Sequence, residues 1–247
     1  MLQPTTTKKH CLIVNFREGE FIYINKPYGM SSFGALAHIR HVISKRLGVK
    51  RVKIGHAGTL DPLATGVLVL CTGKKTKLID QLQRETKEYI ADIRFGATTP
   101  SYDREHTVDH TYPTHHITEE GVKTAIRQFI GETMQVPPVY SACNINGKRA
   151  YEYGRKGHDV TLAAKPVVIH EIEMLDYDDA EKTAKLRVVC GKGTYIRSLA
   201  RDIGEAMNSG AYITGLCRSR VGDVTAEDAM TLDEFHEWFA KQDVEPY

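Results

Sequence analysis

The order of apolar and polar positions divides the chain into short strands and amphipathic helices. Alternation of apolar and polar residues predicts half-exposed strands, whereas a short unbroken apolar run predicts a fully buried strand. The predicted strands cover residues 11–16, 21–24, 67–71, 87–95, 167–175 and 185–190. The segment 67–71 is the unbroken run, with the sequence Val-Leu-Val-Leu-Cys, and we expect it to be buried.

Four helices are predicted from a 3.6-residue apolar period and from residues that favour helix ends. Their starts are assigned to Ser31 or Ser32, to Thr118, to the turn at 191–194 and to Thr231. Serine and threonine are favoured at such positions because their side-chain oxygens accept hydrogen bonds from the free amides of the first turn. Gly48 is expected to end the first helix, and Glu234 completes a capping box in the last one.

These elements predict one mixed α/β domain dominated by a sheet. Residues 96–117 are polar and poor in core residues, so we expect them to form a surface insertion. An irregular stretch is expected from Pro137 to about Lys165. The domain is assigned to residues 1–247, with its core motifs within about 11–222 and an acidic helical tail at 223–247.

The composition is that of an ordinary globular protein. With 247 residues, 41% of them hydrophobic and 26% charged, the chain is long enough to bury a full core. Its five cysteines stand alone without a Cys-x-x-Cys pair, which favours reduced thiols over a disulfide framework or a zinc site. The sequence contains neither an apolar run long enough to span a membrane nor a secretory leader, so we expect a soluble, cytoplasmic protein.

Charge is segregated along the chain, although the net charge is only +2. Residues 21–79 contain ten Lys and Arg residues against one carboxylate, Asp61. From residue 223 onward the chain contains eight acidic residues and one Lys. A surface with such an excess of cations presents a positive field, and the polyanion that we expect it to bind is nucleic acid.

Asp61 lies in the loop 55–66, with the sequence Gly-His-Ala-Gly-Thr-Leu-Asp-Pro-Leu-Ala-Thr-Gly. The glycines and the proline favour a tight, preorganised loop. A lone acid in a cationic region hinders phosphate binding, so we interpret Asp61 as a nucleophile that acts on RNA. The alternative is a structural turn in which Asp61 caps a neighbouring backbone amide.

Other motifs leave several interpretations open. Residues 191–197 follow a strand and open a helix, which suits either an anion-binding site or an ordinary turn. Four histidines with Asp103 and Asp109 lack the spacing of a common metal site, so we expect a solvated loop there. Three tyrosines among basic residues at 140–156 are predicted to contact RNA, and ordinary core tyrosines are the alternative.

Taken together, several segments resemble the bacterial tRNA pseudouridine synthases of the TruB type, which isomerise uridine 55 in the T loop. The matching segments are residues 26–32, 55–66, 87–89, 137–142, 147–153, 193–197 and 216–218. The Asp61 loop and the motif at 195–197 are the most specific of them. The resemblance implies the pseudouridine synthase fold, a long mixed β-sheet with flanking helices and a central catalytic cleft.

For the chemistry, the resemblance implies that Asp61 is the catalytic nucleophile and that Arg197 pairs with it and holds it ionised. Asp61 attacks the ribose or the base, the glycosidic bond breaks, and uracil rotates and rejoins through carbon. This isomerisation includes neither hydrolysis nor a redox step, so no cofactor and no metal are expected.

The resemblance assigns five further positions to substrate binding, namely Lys26, His56, Tyr89, Tyr195 and Leu216. Tyr89 is expected to stack on the target base, and His56 to occupy space in the T loop and hold the uridine flipped out. Tyr195 and Leu216 are expected to line the uracil pocket. Lys26 matches a lysine near the cleft, with a role in structural support.

The expected partner is the T arm of tRNA, without a guide RNA or a membrane, and the protein is expected to be a monomer. Two features depart from the family pattern. Asn144 stands where a Lys is usual, and the chain ends without the small carboxyl-terminal RNA-binding (PUA) domain of many relatives, which argues against the guided class. An RNA-folding chaperone is the alternative function. A metal-dependent nuclease is disfavoured, because no acids cluster near the basic residues.

Overall fold

The computed structural model describes residues 13–141, 143–145, 148–154 and 162–247. Its backbone contacts divide the chain into two compact units. The first unit combines the amino-terminal residues through Lys87 with Cys217–Tyr247, and the second unit is Glu88–Leu216. The chain is mixed α/β, with a large β-sheet flanked by helices, as the sequence predicts.

The strands alternate with short helices along the chain. The strands are β1 (Phe21–Lys26), β2 (Ile54–His56), β3 (Ala64–Thr72), β4 (Lys87–Phe95), β5 (Ala97–Thr98), β6 (His110–Thr111), β7 (Gly131–Gln135), β8 (Asn144–Ile145), β9 (Lys148–Arg149), β10 (Lys165–Asp178), β11 (Thr183–Cys190), β12 (Ala211–Val221) and β13 (Val224–Thr225). The helices are α1 (Ser32–Arg46), α2 (Ile79–Leu82), α3 (Glu119–Arg127), α4 (Ala150–Gly154), α5 (Ile196–Ala206) and α6 (Leu232–Ala240), and a 3₁₀ helix covers Gly73–Leu78.

Strand β3 is the centre of the first unit. It pairs antiparallel with β1 from Phe21 opposite Cys71 to Lys26 opposite Gly66. Strand β2 also pairs antiparallel with β3, along its last three residues from Leu70 to Thr72. All its residues from Gly66 to Thr72 are buried, as the unbroken apolar run predicts. The loop 55–66 is therefore anchored at both ends by strands.

Helix α1 begins and ends at the positions that the sequence indicates. The Ser31 side chain accepts a hydrogen bond from the Gly34 amide, and Gly48 adopts a φ of 64° just beyond the helix end. That left-handed conformation favours glycine because glycine has no Cβ. The buried face includes Leu36, Ile39 and Ile43, and it fixes the orientation of the helix within the first unit.

Helix α6 starts with the predicted capping box of Thr231 and Glu234. Its other end receives Arg46 from α1, whose guanidinium donates to the carbonyl oxygens of Phe239 and Gln242 and lies over the Phe239 ring. Arg46 therefore stabilises the carboxyl end of α6, where the helix dipole favours a positive charge.

In the second unit, the long strands β10 and β11 form an antiparallel hairpin, and β7 pairs with the other edge of β10. Helices α3 and α5 pack on this sheet around a core that includes Ile93, Leu186 and Leu199. Strand β4 occupies the predicted residues, and α3 starts at the predicted cap, Thr118. Strand β12 begins in the second unit and ends in the first.

Two local expectations need correction. Of the strand predicted at 11–16, the described part contains only an isolated bridge between Val14 and Val244. The segment 96–117 is not merely a surface insertion, because Thr99, Ser101 and Asp103 are buried. These polar side chains are tolerated in the interior because they form hydrogen bonds, such as that from the Ser101 hydroxyl to the Asp103 carboxylate at 2.6 Å.

Within the described residues, no helix is both long and apolar enough to cross a membrane. The cysteines of that part, Cys71, Cys143, Cys190 and Cys217, are free thiols, as their spacing predicts. The assignment of residues 1–247 to a single catalytic domain stays a prediction.

Candidate active site

The candidate nucleophile lies on a loop that leaves β2 and returns into β3. The Ala57 amide bonds to the Val69 carbonyl at 2.9 Å, and the Ala64 amide bonds to the Asp61 carbonyl at 3.1 Å. Gly66 has a φ of 99°, and a Cβ at this position would lie 2.2 Å from the Arg218 carbonyl oxygen. Glycine is therefore required where the loop enters β3. The Asp61 side chain itself is half-buried.

Arg218 of β12 binds the backbone of the Asp61 loop. Its side chain is 2% exposed, and Nε donates to the Val67 carbonyl at 2.7 Å. The two terminal nitrogens reach the carbonyls of Gly58 at 3.1 Å and Thr59 at 3.5 Å. One buried guanidinium thus joins the loop to the strand that follows it. The sequence includes Arg218 in a matching segment, but without assigning it this role.

Ser32 attaches the residue before Asp61 to the start of α1. Its hydroxyl accepts a hydrogen bond from the Leu60 amide at 2.7 Å and donates to the Leu60 carbonyl at 2.8 Å. Nearby, the Gly29 amide donates to the Pro62 carbonyl at 2.9 Å. Leu60 and Pro62, the two neighbours of Asp61, are therefore hydrogen-bonded to Ser32 at the start of α1 and to Gly29 just before it.

Lys26 supplies a buried cation beside this loop. Its Nζ donates to the carbonyls of Met30 at 2.6 Å, Pro27 at 2.9 Å and Pro62 at 3.4 Å. Burial lowers the pKa of Lys26 to about 8, and the opposing charge of Asp61 limits this decrease. The contacts agree with the expected structural support, and the same ammonium group favours the ionised form of Asp61.

His56 ends β2 and is half-buried. Burial is the largest cause that lowers its pKa, and the positive charge of Arg218 lowers it further. Its Nδ1 is buried and has no hydrogen-bond partner among the residues that the structure describes. A neutral imidazole suits a residue that occupies space in an RNA loop better than one that contacts phosphate.

The second unit contains the other predicted catalytic residue, Arg197, in the first turn of α5. Its side chain is 4% exposed, and it donates to the carbonyls of Ser101 at 3.0 Å and Tyr140 at 2.8 Å. Its Nε lies 3.6 Å from Oδ2 of Asp103. The Ser101 hydroxyl and the Glu105 amide in turn bond Oδ1 of Asp103. This buried network orients the guanidinium.

Asp103 is a residue that the sequence reasoning missed. It was grouped with histidines and expected to belong to a solvated loop, whereas the structure buries it against a catalytic candidate. The sequence around Asp103 is polar and contains Arg104 and Glu105, and such a segment does not distinguish a buried carboxylate from an exposed one. The described residues contain no cluster of three potential metal ligands.

The remaining predicted substrate residues also belong to the second unit. Tyr195 immediately precedes α5, its amide donates to Gln135 Oε1 at 2.8 Å, and burial raises the pKa of its hydroxyl. Tyr89 on β4 and Leu216 on β12 are half-buried and pack against the core of the unit. Each of these side chains retains an exposed fraction with which it could contact a ligand. Asn144 lies on β8, where the structure describes the backbone but not the side chain.

The predicted RNA-binding segment at 140–156 is only partly described. Tyr140 is half-buried, and its ring centroid lies 4.4 Å from that of His106. Tyr153 on α4 is also half-buried, whereas the side chain of Tyr151 and residues 155–156 lie outside the described part. A role for this segment in RNA contact therefore stays a prediction.

Comparison with known proteins adds independent information. A family model described as TruB family pseudouridylate synthase (N terminal domain) matches residues 45–196, and one described as tRNA pseudouridylate synthase B C-terminal domain matches residues 197–247. Proteins named tRNA pseudouridine synthase B from Bacteroides thetaiotaomicron and Phocaeicola vulgatus are each 57% identical over 94% of this chain and 98% of their own length. One from Flavobacterium johnsoniae is 46% identical over 90% of this chain and 96% of its length.

Among solved structures, a chain of a Cbf5-Nop10-Gar1 complex aligns with a TM-score of 0.65 and 26% identity, covering 91% of this chain and 55% of that one. A chain of an H/ACA RNP bound to a substrate RNA containing 2′-deoxyuridine aligns with a TM-score of 0.63 and 25% identity, covering 91% and 54%. These similarities confirm the predicted fold. Since a family model spans more than half of the sequence and close relatives match almost all of it, the chain belongs to the TruB family of pseudouridylate synthases.

Proposed function

We propose that this protein converts uridine 55 in the T loop of tRNA to pseudouridine, with Asp61 as the nucleophile. The observation that carries the proposal is the Asp61 loop, a rigid loop that holds the one carboxylate of residues 21–79 between buried cations. The relatives named tRNA pseudouridine synthase B support tRNA as the substrate, because they match the chain over 94% of its length.

The environment of Asp61 suits a carboxylate nucleophile. A nucleophilic carboxylate must be ionised, and positive charge nearby favours that state. Lys26 acts on Asp61 electrostatically, and Arg218 is bonded to the same loop. Ionised Asp61 attacks the ribose or the base, and the glycosidic bond between C1′ and N1 breaks. The base rotates, C5 bonds to C1′, and the Asp61 carboxylate is released. The proton lost from C5 is replaced by one gained at N1, so the product is an isomer of the substrate. Atoms and electrons balance without any oxidant, reductant or cofactor.

The base must leave its stack before Asp61 can reach it, and aromatic contact offsets part of that cost. The proposal assigns this contact to Tyr89, with Tyr195 and Leu216 as walls of the uracil pocket. His56 occupies the space that the uridine vacates. Arg197 pairs with the nucleophile, and the Asp103 network keeps the guanidinium in a single orientation.

We further propose that the chain acts as a monomer in the cytoplasm and without a guide RNA. The structural neighbours include an H/ACA RNP, so this point needs its own test. The experiment is incubation of purified protein with an unmodified tRNA transcript, followed by mapping of pseudouridine at each uridine. A transcript with cytidine in place of the target uridine is the matched substrate control.

We expect conversion at the target uridine with neither guide RNA nor added metal. Asp61→Asn should abolish turnover and leave tRNA affinity nearly intact, because it removes charge and little shape. Modification that needs a guide RNA or stops with a chelator would contradict the proposal. Turnover retained by Asp61→Asn would contradict the choice of nucleophile. If the parent protein refolded tRNA but made no pseudouridine, the chaperone alternative would be favoured.

A further inference from the structure

Two exposed aromatic side chains lie close to the Asp61 loop. Tyr28 is 62% exposed and Phe33 is 65% exposed. Among the large apolar side chains exposed in the described part of the chain, the one other aromatic is Tyr112 of the second unit. Aromatic rings contribute much to core packing, so two of them left in solvent within six residues indicate a binding surface.

The segment that carries this aromatic pair is rigid. Between the two rings, Gly29 is hydrogen-bonded to Pro62 and Ser32 is hydrogen-bonded to Leu60. Phe33 itself lies in the first turn of α1, behind the Ser31 cap. The hydrogen bonds that hold the neighbours of Asp61 therefore also hold the backbone between the two aromatic residues, which places both residues next to the Asp61 loop.

The charge around the pair selects the kind of ligand. The guanidinium carbon of Arg40 lies 5.8 Å from the centroid of the Phe33 ring, a cation–π distance. Helix α1 contains no acidic residue, and its side chains His41 and Lys45 are exposed. Aromatic rings bordered by cations fit nucleotides, which offer a flat base and a phosphate together.

We propose that Tyr28, Phe33 and Arg40 form a stacking site for unpaired nucleobases of the RNA substrate, next to the Asp61 loop. The site deepens the proposed function, and it rests on that function for the identity of the RNA. Phe33 offers a ring on which a base stacks, while Arg40 neutralises the adjoining phosphate. Tyr28 offers a second ring on the other side of the Gly29 turn.

Affinity for a T-arm stem-loop, measured in an Asp61→Asn background, tests the site without turnover. Tyr28→Ala and Phe33→Ala should each weaken binding by about fivefold to a hundredfold, the range expected for loss of one base stack. Phe33→Trp should restore affinity, because it keeps an aromatic face. Tyr112→Ala is the matched control, since it removes an exposed aromatic from the other unit and should leave affinity unchanged.

Salt dependence separates stacking from charge. Arg40→Gln should reduce the slope of log affinity against log salt by about 0.7, the value for one phosphate contact on a single strand, whereas Phe33→Ala should not change it. Stem-loops with 2-aminopurine at single loop positions provide a direct readout. Fluorescence of the stacked position should be quenched by the parent protein and recover with Phe33→Ala.

The outcomes distinguish this site from the proposed function. Weaker binding by the alanine variants supports the site even if the protein makes no pseudouridine in tRNA. Unchanged affinity of a Tyr28→Ala, Phe33→Ala double variant overturns it even if the protein is fully active. A second copy of this chain is the other candidate ligand of the two exposed rings, and sedimentation of the same variants tests it. If the double substitution dissociates a dimer instead of weakening RNA binding, the aromatic pair is a self-association surface and the site is refuted.

Discussion

Replacement of Ser32 by alanine tests whether the Asp61 loop depends on its attachment to α1. The hydroxyl of Ser32 forms two hydrogen bonds to Leu60, the residue before Asp61, and the side chain is 2% exposed. Ser32→Ala removes one oxygen atom and leaves the amide and the carbonyl of Leu60 buried without these bonds. The substitution changes neither charge nor side-chain length beyond that atom.

The neighbouring serine provides a matched control. The side chain of Ser31 accepts one hydrogen bond, from Gly34, and caps α1 without a hydrogen bond to the Asp61 loop. Loss of a cap costs about 1 kcal/mol of unfolding free energy. Loss of the buried Ser32 bonds costs about 1–3 kcal/mol, because an unsatisfied polar group in the interior loses its hydration as well. For a chain of this size, each kcal/mol lowers Tm by about 2–4 °C.

The two variants should therefore differ by at most about 2 kcal/mol in unfolding free energy but strongly in catalysis. A displacement of a reacting group by ~1 Å can cost about a hundredfold in rate. We expect Ser32→Ala to lower the single-turnover rate constant on tRNA by roughly tenfold to a hundredfold, and Ser31→Ala to leave it close to the parent value. Single-turnover rates at saturating enzyme, together with thermal unfolding of both variants, provide the comparison.

The two variants are compared at a temperature at which both are folded. If Ser32→Ala were as active there as Ser31→Ala, the hydrogen bonds between Ser32 and Leu60 would contribute to folding alone. In that case the Asp61 loop would owe its geometry to Arg218 and to the strands at its ends. A loss of activity that disappeared on cooling would lead to the same conclusion, because it would reflect unfolding of the variant.

Three other predictions concern the charged groups of each unit. Asp103→Asn should slow single-turnover chemistry with little effect on tRNA affinity, since it removes the carboxylate that faces the buried arginine of α5. The pKa of Lys26 is lowered to about 8 in the folded protein, so between pH 8 and pH 10.5 the unfolded chain holds that proton more tightly. Over this range the unfolding free energy of the parent protein should therefore rise relative to that of Lys26→Met. Chemical denaturation of both proteins across this range provides the test, and a constant difference would contradict it. Joint replacement of the exposed Lys45, Lys50 and Arg51 by alanine should reduce the salt slope of tRNA binding by about 2, and an unchanged slope would place the RNA on another surface.

The elements that the sequence predicts are those with local causes. The Ser31 cap, the Gly48 stop and the Thr231–Glu234 box involve residues within a few positions of one another, so their signals are visible in a short window. The same is true of β3, where an unbroken apolar run leaves no other option than burial. The candidate nucleophile was also visible, because its isolation among cations is a property of sequence.

The contacts that organise the candidate site are long-range and were not predictable. Arg218 and Gly58 are 160 positions apart, and no periodicity connects a basic residue to a carbonyl at that distance. The polar sequence around Asp103 led to the expectation of an exposed loop. Asp103 is buried instead, because hydrogen bonds satisfy its carboxylate in the interior. Strand β7 (Gly131–Gln135) was missed because it is short and mostly polar, and its place is determined by pairing with β10.

The cations near Asp61 have two effects that a neutral support would not combine. Lys26 and Arg218 donate to backbone carbonyls of the Asp61 loop and its flanks, so they restrain the loop as any donor could. Carbonyl oxygens do not neutralise a charge, however, and the positive field therefore remains available to the carboxylate. Desolvation opposes this arrangement, as the lowered pKa of Lys26 indicates, but the arrangement suits a carboxylate that must be both immobile and ionised, as the proposed nucleophile must be. Buried cations add to the hydrogen bonds of Ser32 a positive charge that a neutral donor does not supply, and this is the physical reason to expect them beside such a loop.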